Sequence, residues 1–121
     1  MPDVSAYAKG VMGETVAAEY LAQHGLTLLE RRYRSPYGEI DLILLDGETL
    51  VFAEVKTRER GTFRTAQQAV TPQKQRRLIQ TARCFLGEHP QHAQKPMRFD
   101  VVTVAKDGVF HLPNAFEGSE W

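Results

Sequence analysis

Two runs rich in leucine, isoleucine, valine and phenylalanine flank one Asp46-Gly47 step, and this pattern constrains the fold most strongly. The runs cover residues 39–45 and 49–57, and Asp-Gly is favoured in tight turns, so the segment predicts a β-hairpin. Alternate residues of a strand share one face of the sheet. The hairpin therefore carries four ionisable side chains in two same-face pairs: Glu39 with Asp41, and Glu54 with Lys56.

Helical and strand periodicities predict the remaining elements. A helix is expected over residues 5–24, and its two internal glycines, Gly10 and Gly13, indicate a close approach by a neighbouring element. A second helix is expected to begin at Thr71-Pro72 and to end near Gly87. Further strands are expected over residues 26–34, 97–105 and 109–112. The order αβββαββ predicts a mixed α/β fold with an irregular tail from about residue 113.

Length and composition limit the class of protein. A chain of 121 residues is the size of one domain, so residues 1–121 are expected to form a single unit. The longest apolar runs are much shorter than a membrane span, and no leader segment precedes them. The single cysteine, Cys84, excludes an internal disulfide and a zinc site built from cysteines. We therefore expect a cytoplasmic protein with no membrane partner.

Positive charge is concentrated in one region although the net charge is zero. Between Lys56 and Arg83 there are eight basic residues and one acidic residue, Glu59. Arginine suits bidentate contact with phosphate, so this region predicts nucleic-acid binding, whereas the alternative is a solvated helix face. The candidate nucleic-acid-binding residues are Arg58, Arg64, Lys74, Arg76, Arg77 and Arg83.

The hairpin carboxylates lie at the end of an apolar face and need compensation. Two carboxylates about 4 Å apart repel by roughly 4 kcal/mol at an effective dielectric constant of about 20. With Glu14 of the first helix, they would form an oxygen-only cluster of the kind that Mg²⁺ or Mn²⁺ prefers. The alternatives are structural: Glu54 pairs with Lys56, Glu14 caps a network of polar groups, and Glu39 lies beside Arg34.

The acidic residues also follow a known order. Glu14, Asp41 and Glu54-Val55-Lys56, with 13 positions from Asp41 to Glu54, resemble the PD-(D/E)XK signature of restriction-endonuclease-like nucleases. More of the chain is similar to the YraN-like family of small bacterial proteins. That similarity rests on Gly13-Glu14, residues 37–43, 51–58 and 69–70 with Lys74, residues 98–102 and residues 114–116.

The resemblance implies a fold and a function. The fold would be a restriction-endonuclease-like mixed sheet with flanking helices. Within that superfamily, the chain is most similar in size and layout to archaeal Holliday junction resolvases. The implied function is a metal-dependent endonuclease acting on structured or branched DNA, as a homodimer because a four-way junction has two-fold symmetry. RNA is the less favoured substrate. The alternative is a non-catalytic module that binds nucleic acid or docks a partner while retaining the nuclease fold.

Roles follow residue by residue from the resemblance. Asp41 and Glu54 would be the primary ligands of Mg²⁺ or Mn²⁺, and Glu14 would be an outer or second-metal ligand. Lys56 would orient the attacking water or stabilise charge on the phosphate. The resemblance thus implies Asp41, Glu54 and Lys56 as the catalytic group, with Glu39 as a further metal ligand or a structural residue.

Overall fold

A computed structural model describes residues 6–59 and 70–116 of the chain. Within these ranges, two α-helices and five strands follow one another in the order that the sequence predicts, αβββαββ, and a short 3₁₀ helix (Pro90–His92) precedes the fourth strand. The helices are α1 (Ala6–Gln23) and α2 (Pro72–Glu88). The strands are β1 (Thr27–Ser35), β2 (Gly38–Asp46), β3 (Thr49–Arg58), β4 (Met97–Ala105) and β5 (Gly108–Phe116).

The strands form one mixed sheet in the order β1-β2-β3-β4-β5. Neighbouring strands are antiparallel except for β3 and β4, which are parallel because α2 connects them. The predicted hairpin is confirmed, with Asp46 opposite Thr49 and Gly47 at a φ of 60° in the turn. Its two strands therefore occupy the interior of the sheet.

In the described part of the chain, α1 covers one face of the sheet and α2 covers the other, which gives two apolar cores. Phe85 of α2 packs edge-on against Phe52 of β3, with ring centroids 6.1 Å apart. Leu21 of α1 packs in the other core, with Val51 and Val102. The mixed α/β fold class predicted from the sequence is thus confirmed.

Local sequence features explain where α2 begins and how closely α1 packs on the sheet. Thr71 caps α2 by accepting a hydrogen bond from the Lys74 N–H, and Pro72 fills the first turn. A Cβ at Gly13 would lie 2.6 Å from the Thr57 Oγ1 atom, which confirms the close approach predicted there. The surroundings of Gly10 lie outside the described part of the chain.

The predicted irregular tail from residue 113 is wrong for residues 113–116, because β5 continues to Phe116. Pro113 lies on an edge strand, where a missing N–H is tolerated. Past this proline, the buried Asp100 carboxylate accepts the Asn114 N–H at 2.9 Å, and Phe116 stacks on Phe99 at 4.6 Å. Residues 117–121 lie outside the described residues. In the described ranges, neither helix is long and apolar enough to cross a membrane.

Candidate metal and phosphate site

The pairing of β2 with β3 stops beside the predicted acidic residues. The last paired residues are Leu42 and Ala53, so Asp41 and Glu54 follow where the strands separate. The Asp41 carboxylate accepts a hydrogen bond of 2.8 Å from the Val55 N–H, a donor that an extended ladder would have used. The separation of the strands therefore turns the Asp41 carboxylate toward β3.

A cleft of about 450 Å³ opens at this point, between the β1–β2 turn and the first turns of α2. Its volume lies in the range of small-ligand sites. Carboxylates, basic side chains and one aromatic ring all contribute to its wall. The cleft is lined by Tyr37, Gly38, Glu39, Asp41, Glu54, Thr71, Gln73, Lys74, Arg77 and Leu78.

Negative charge in the cleft perturbs Asp41. Burial and the nearby charge of Glu54 raise the pKa of this carboxyl to about 7, although the Val55 N–H opposes the change. Glu14 and Glu39 raise the same pKa further. Asp41 is therefore the group on which the other three predicted carboxylates act together.

The Glu54 carboxylate, which is 7% exposed, makes two ion pairs. Its Oε1 atom lies 3.0 Å from the Lys56 Nζ atom and 2.7 Å from the Lys74 Nζ atom. The pairing with Lys56 is the structural alternative that the sequence left open. The contact with Lys74 was not foreseen, because the sequence assigned this lysine to phosphate binding on the second helix.

The two lysines differ in how they hold their protons. Burial opposes the charge of Lys56, yet the contact with Lys74 and the charge of Glu54 raise its pKa. Burial lowers the pKa of Lys74, and Lys56 lowers it further, although Glu54 acts in the opposite direction. The two ammonium groups therefore share one carboxylate, that of Glu54.

The other two predicted carboxylates, those of Glu14 and Glu39, each pair with an arginine. Glu14 accepts a hydrogen bond of 2.9 Å from the Arg32 Nε atom and does not line the cleft. Arg32 has a φ of 53° on β1, a conformation that few residues other than glycine adopt. Glu39 lines the cleft, and its carboxylate lies 3.3 Å from the Arg34 Nε atom, as the structural alternative predicts.

These contacts bear on whether the carboxylates of the cleft can bind a divalent ion. Among the residues described, no three acidic, histidine or cysteine side chains converge closely enough to hold a metal. The chemistry of the cleft nevertheless fits Mg²⁺ or Mn²⁺, because Asp41 and Glu54 offer only carboxylate oxygens and excess negative charge acts on Asp41. The residues that would hold the ion are Asp41 and Glu54, and two lysines, Lys56 and Lys74, also contact the Glu54 carboxylate.

The structure separates the predicted nucleic-acid-binding residues. Lys74 and Arg77 line the cleft. Arg58, Arg76 and Arg83 are exposed elsewhere, and Arg64 lies outside the described residues. Sequence reasoning missed the role of Tyr37 in the β1–β2 turn, although Tyr37 stands in a Pro-Tyr-Gly turn and in the family motif of residues 37–43.

Known proteins resemble this chain over most of its length. The family described as "Uncharacterised protein family UPF0102" matches residues 13–104. A UPF0102 protein of Rhodopseudomonas palustris (strain BisB18) is 43% identical over 96% of this chain and 85% of its own length. One of Pseudomonas entomophila is 42% identical over 97% and 99%, and one of Alcanivorax borkumensis is 48% identical over 78% and 75%. The chain therefore belongs to the UPF0102 family, the YraN-like family that its motifs predicted.

Proposed function

We propose that this chain is a metal-dependent endonuclease that hydrolyses phosphodiester bonds in structured or branched DNA, with Mg²⁺ or Mn²⁺ as cofactor. The observation that carries the proposal is one cleft in which three hairpin carboxylates, among them Asp41 and Glu54 where the two strands separate, face two basic residues on α2. Carboxylates suit a divalent ion, and Lys74 and Arg77 suit a phosphate. DNA is favoured over RNA by the family resemblance alone.

The charged groups at and beside the cleft have separate tasks in hydrolysis. When bound by Asp41 and Glu54, the divalent ion would activate a water molecule and neutralise charge on the phosphate. Lys56, held 3.0 Å from Glu54, would orient that water. Lys74 would leave Glu54 and move toward the phosphate, whose negative charge replaces that of the carboxylate. One phosphorus–oxygen ester bond breaks as the water oxygen bonds to phosphorus, and the leaving oxygen takes a proton. A homodimer would supply two such clefts for paired incisions.

A non-catalytic module is the second candidate, and one observation favours it. Glu54 has two lysine partners, which compensate its charge as a metal ion otherwise would. Such a protein would bind nucleic acid through Lys74 and Arg77 but would not cut it.

Incubation with four-way junctions, flaps, single strands, duplexes and RNA separates the two candidate functions. For the nuclease, cleavage product should form with Mg²⁺ or Mn²⁺ and not with EDTA. Binding without product for every substrate would support the module.

Salt dependence tests phosphate contact in the cleft. Each duplex phosphate that a protein neutralises contributes about 0.9 to the slope of log affinity against log salt. We expect Arg77→Ala to reduce that slope by about 0.9, and alanine at Arg76, Arg77 and Arg83 together by up to about three. Lys95→Ala is the control, since Lys95 pairs with Glu48 at the opposite end of the sheet. Fluorescence anisotropy titrations at several salt concentrations measure the slopes, and an unchanged slope in Arg77→Ala would contradict phosphate contact there.

A further inference from the structure

Tyr37 is an aromatic residue that the proposed chemistry does not use. It is 51% exposed and lies in the turn between β1 and β2, where it lines the cleft together with Asp41 and Glu54. Among the described residues, about half of this ring stays uncovered at the wall of a charged cleft, which leaves an exposed apolar surface there. This surface is available to a ligand that also carries negative charge.

The turn that carries Tyr37 is fastened to α2. The Ser35 Oγ atom accepts the Tyr37 N–H at 3.1 Å and lies 2.9 Å from the Oγ1 atom of the buried Thr81. Gly38 follows with a φ of 154°, and a Cβ placed there would lie 3.8 Å from the Arg77 Cβ atom. The backbone at Tyr37 is therefore held against the helix that carries Arg77, so little ordering is required when a ligand binds.

The groups around the ring indicate the chemistry of that ligand. Lys74 and Arg77 on α2 suit phosphates, and an aromatic face beside such cations is the pattern by which proteins hold single-stranded nucleic acid. A base inside a duplex is stacked on its neighbours, so its face cannot meet a side chain unless it leaves the stack. The cleft volume of about 450 Å³ also suits one nucleotide rather than a duplex.

We infer that the cleft takes a nucleotide whose base is unpaired and stacks on Tyr37, so that the phosphate beside it faces Asp41 and Glu54. The inference rests on the proposed function for the role of that phosphate. Its consequence is a preference for single strands, flaps and junction branch points over continuous duplex. Tyr37 is a specificity-determining residue in this account.

Binding measured in EDTA tests the inference without cleavage. Fluorescence anisotropy compares a labelled single-stranded oligonucleotide with a blunt duplex of the same sequence, for the wild type and three variants. Stacking of one base contributes about 1–3 kcal/mol, so Tyr37→Ala and Tyr37→Leu should weaken single-strand binding by about 5- to 150-fold. Tyr37→Phe keeps the ring and should bind within about 2-fold of the wild type. Duplex affinity should be the same in all four proteins.

The outcomes separate this inference from the proposed function. Unchanged single-strand affinity in Tyr37→Ala, equal losses on duplex, or a loss in Tyr37→Phe as large as in Tyr37→Leu would overturn the inference. A protein that binds single strands through Tyr37 but never cuts them would contradict the nuclease proposal and leave the inference standing. Metal-dependent cleavage with the same single-strand affinity in Tyr37→Ala as in the wild type would support the nuclease proposal and overturn the inference.

Discussion

Mn²⁺ or Mg²⁺ at about a hundred times its dissociation constant is expected to raise the free energy of unfolding by roughly 2.7 kcal/mol. The reason is that Asp41 and Glu54 meet only in the folded chain, so the ion stabilises that state alone. For a domain of this size the gain corresponds to roughly 10 °C in melting temperature. Thermal melts of the wild type with EDTA and with each metal measure it.

Two variants show whether the ion binds in the cleft. Asp41→Asn removes a proposed ligand and should lose most of the gain. Asp46→Asn makes the same change on the same strand, in a carboxylate 2.8 Å from the Arg98 guanidinium, and should retain it. A melting temperature that does not respond to either metal would indicate that Glu54 serves only as the partner of Lys56 and Lys74.

Asp41→Asn is also expected to stabilise the metal-free protein above about pH 7, by up to about 4 kcal/mol. The pKa of Asp41 is raised from 3.8 to about 7 in the folded chain by burial and by Glu54. The folded state therefore holds this proton more tightly than the unfolded state. The stabilisation that the proton gives is present at about pH 4 and is lost as the pH rises toward 7.

Urea unfolding between pH 4 and pH 8 in EDTA measures this effect. The stability advantage of Asp41→Asn should increase over the interval, because asparagine accepts the Val55 N–H without carrying charge. The control variant Asp46→Asn should show no such increase. An advantage of Asp41→Asn that is constant with pH would contradict the crowding of negative charge on Asp41.

The hairpin and its charges were predictable because they depend on local rules. Alternation along a strand places Asp41 with Glu39 and Glu54 with Lys56 on common faces, and the Asp46-Gly47 turn determines the register. Glu14 was added from its place on the first helix, and the family motifs include the same residue. These signals need no knowledge of how the helices pack.

The contact of Lys74 with Glu54 and the position of Tyr37 in the cleft depend on tertiary packing. Lys74 reaches Glu54 because α2 lies across the sheet, and its helical periodicity is equally consistent with solvent exposure. Tyr37 lines the cleft because Ser35 joins its turn to Thr81. The extension of β5 was missed because proline lacks the N–H that pairs strands, so Pro113 indicates the end of a strand. On an edge strand the missing N–H is tolerated, and β5 continues to Phe116.

Cleavage of a four-way junction or flap by the wild type and by Asp41→Asn, with Mg²⁺ and with EDTA, is the most direct test of the proposed nuclease. The wild type should form product only with metal. Asp41→Asn should be slower by at least about 1000-fold, since a lost ligand of the ion removes about 4 kcal/mol of transition-state stabilisation. The control Asp46→Asn should cut at nearly the wild-type rate. Equal rates in the wild type and Asp41→Asn, or product formation in EDTA, would contradict the proposal.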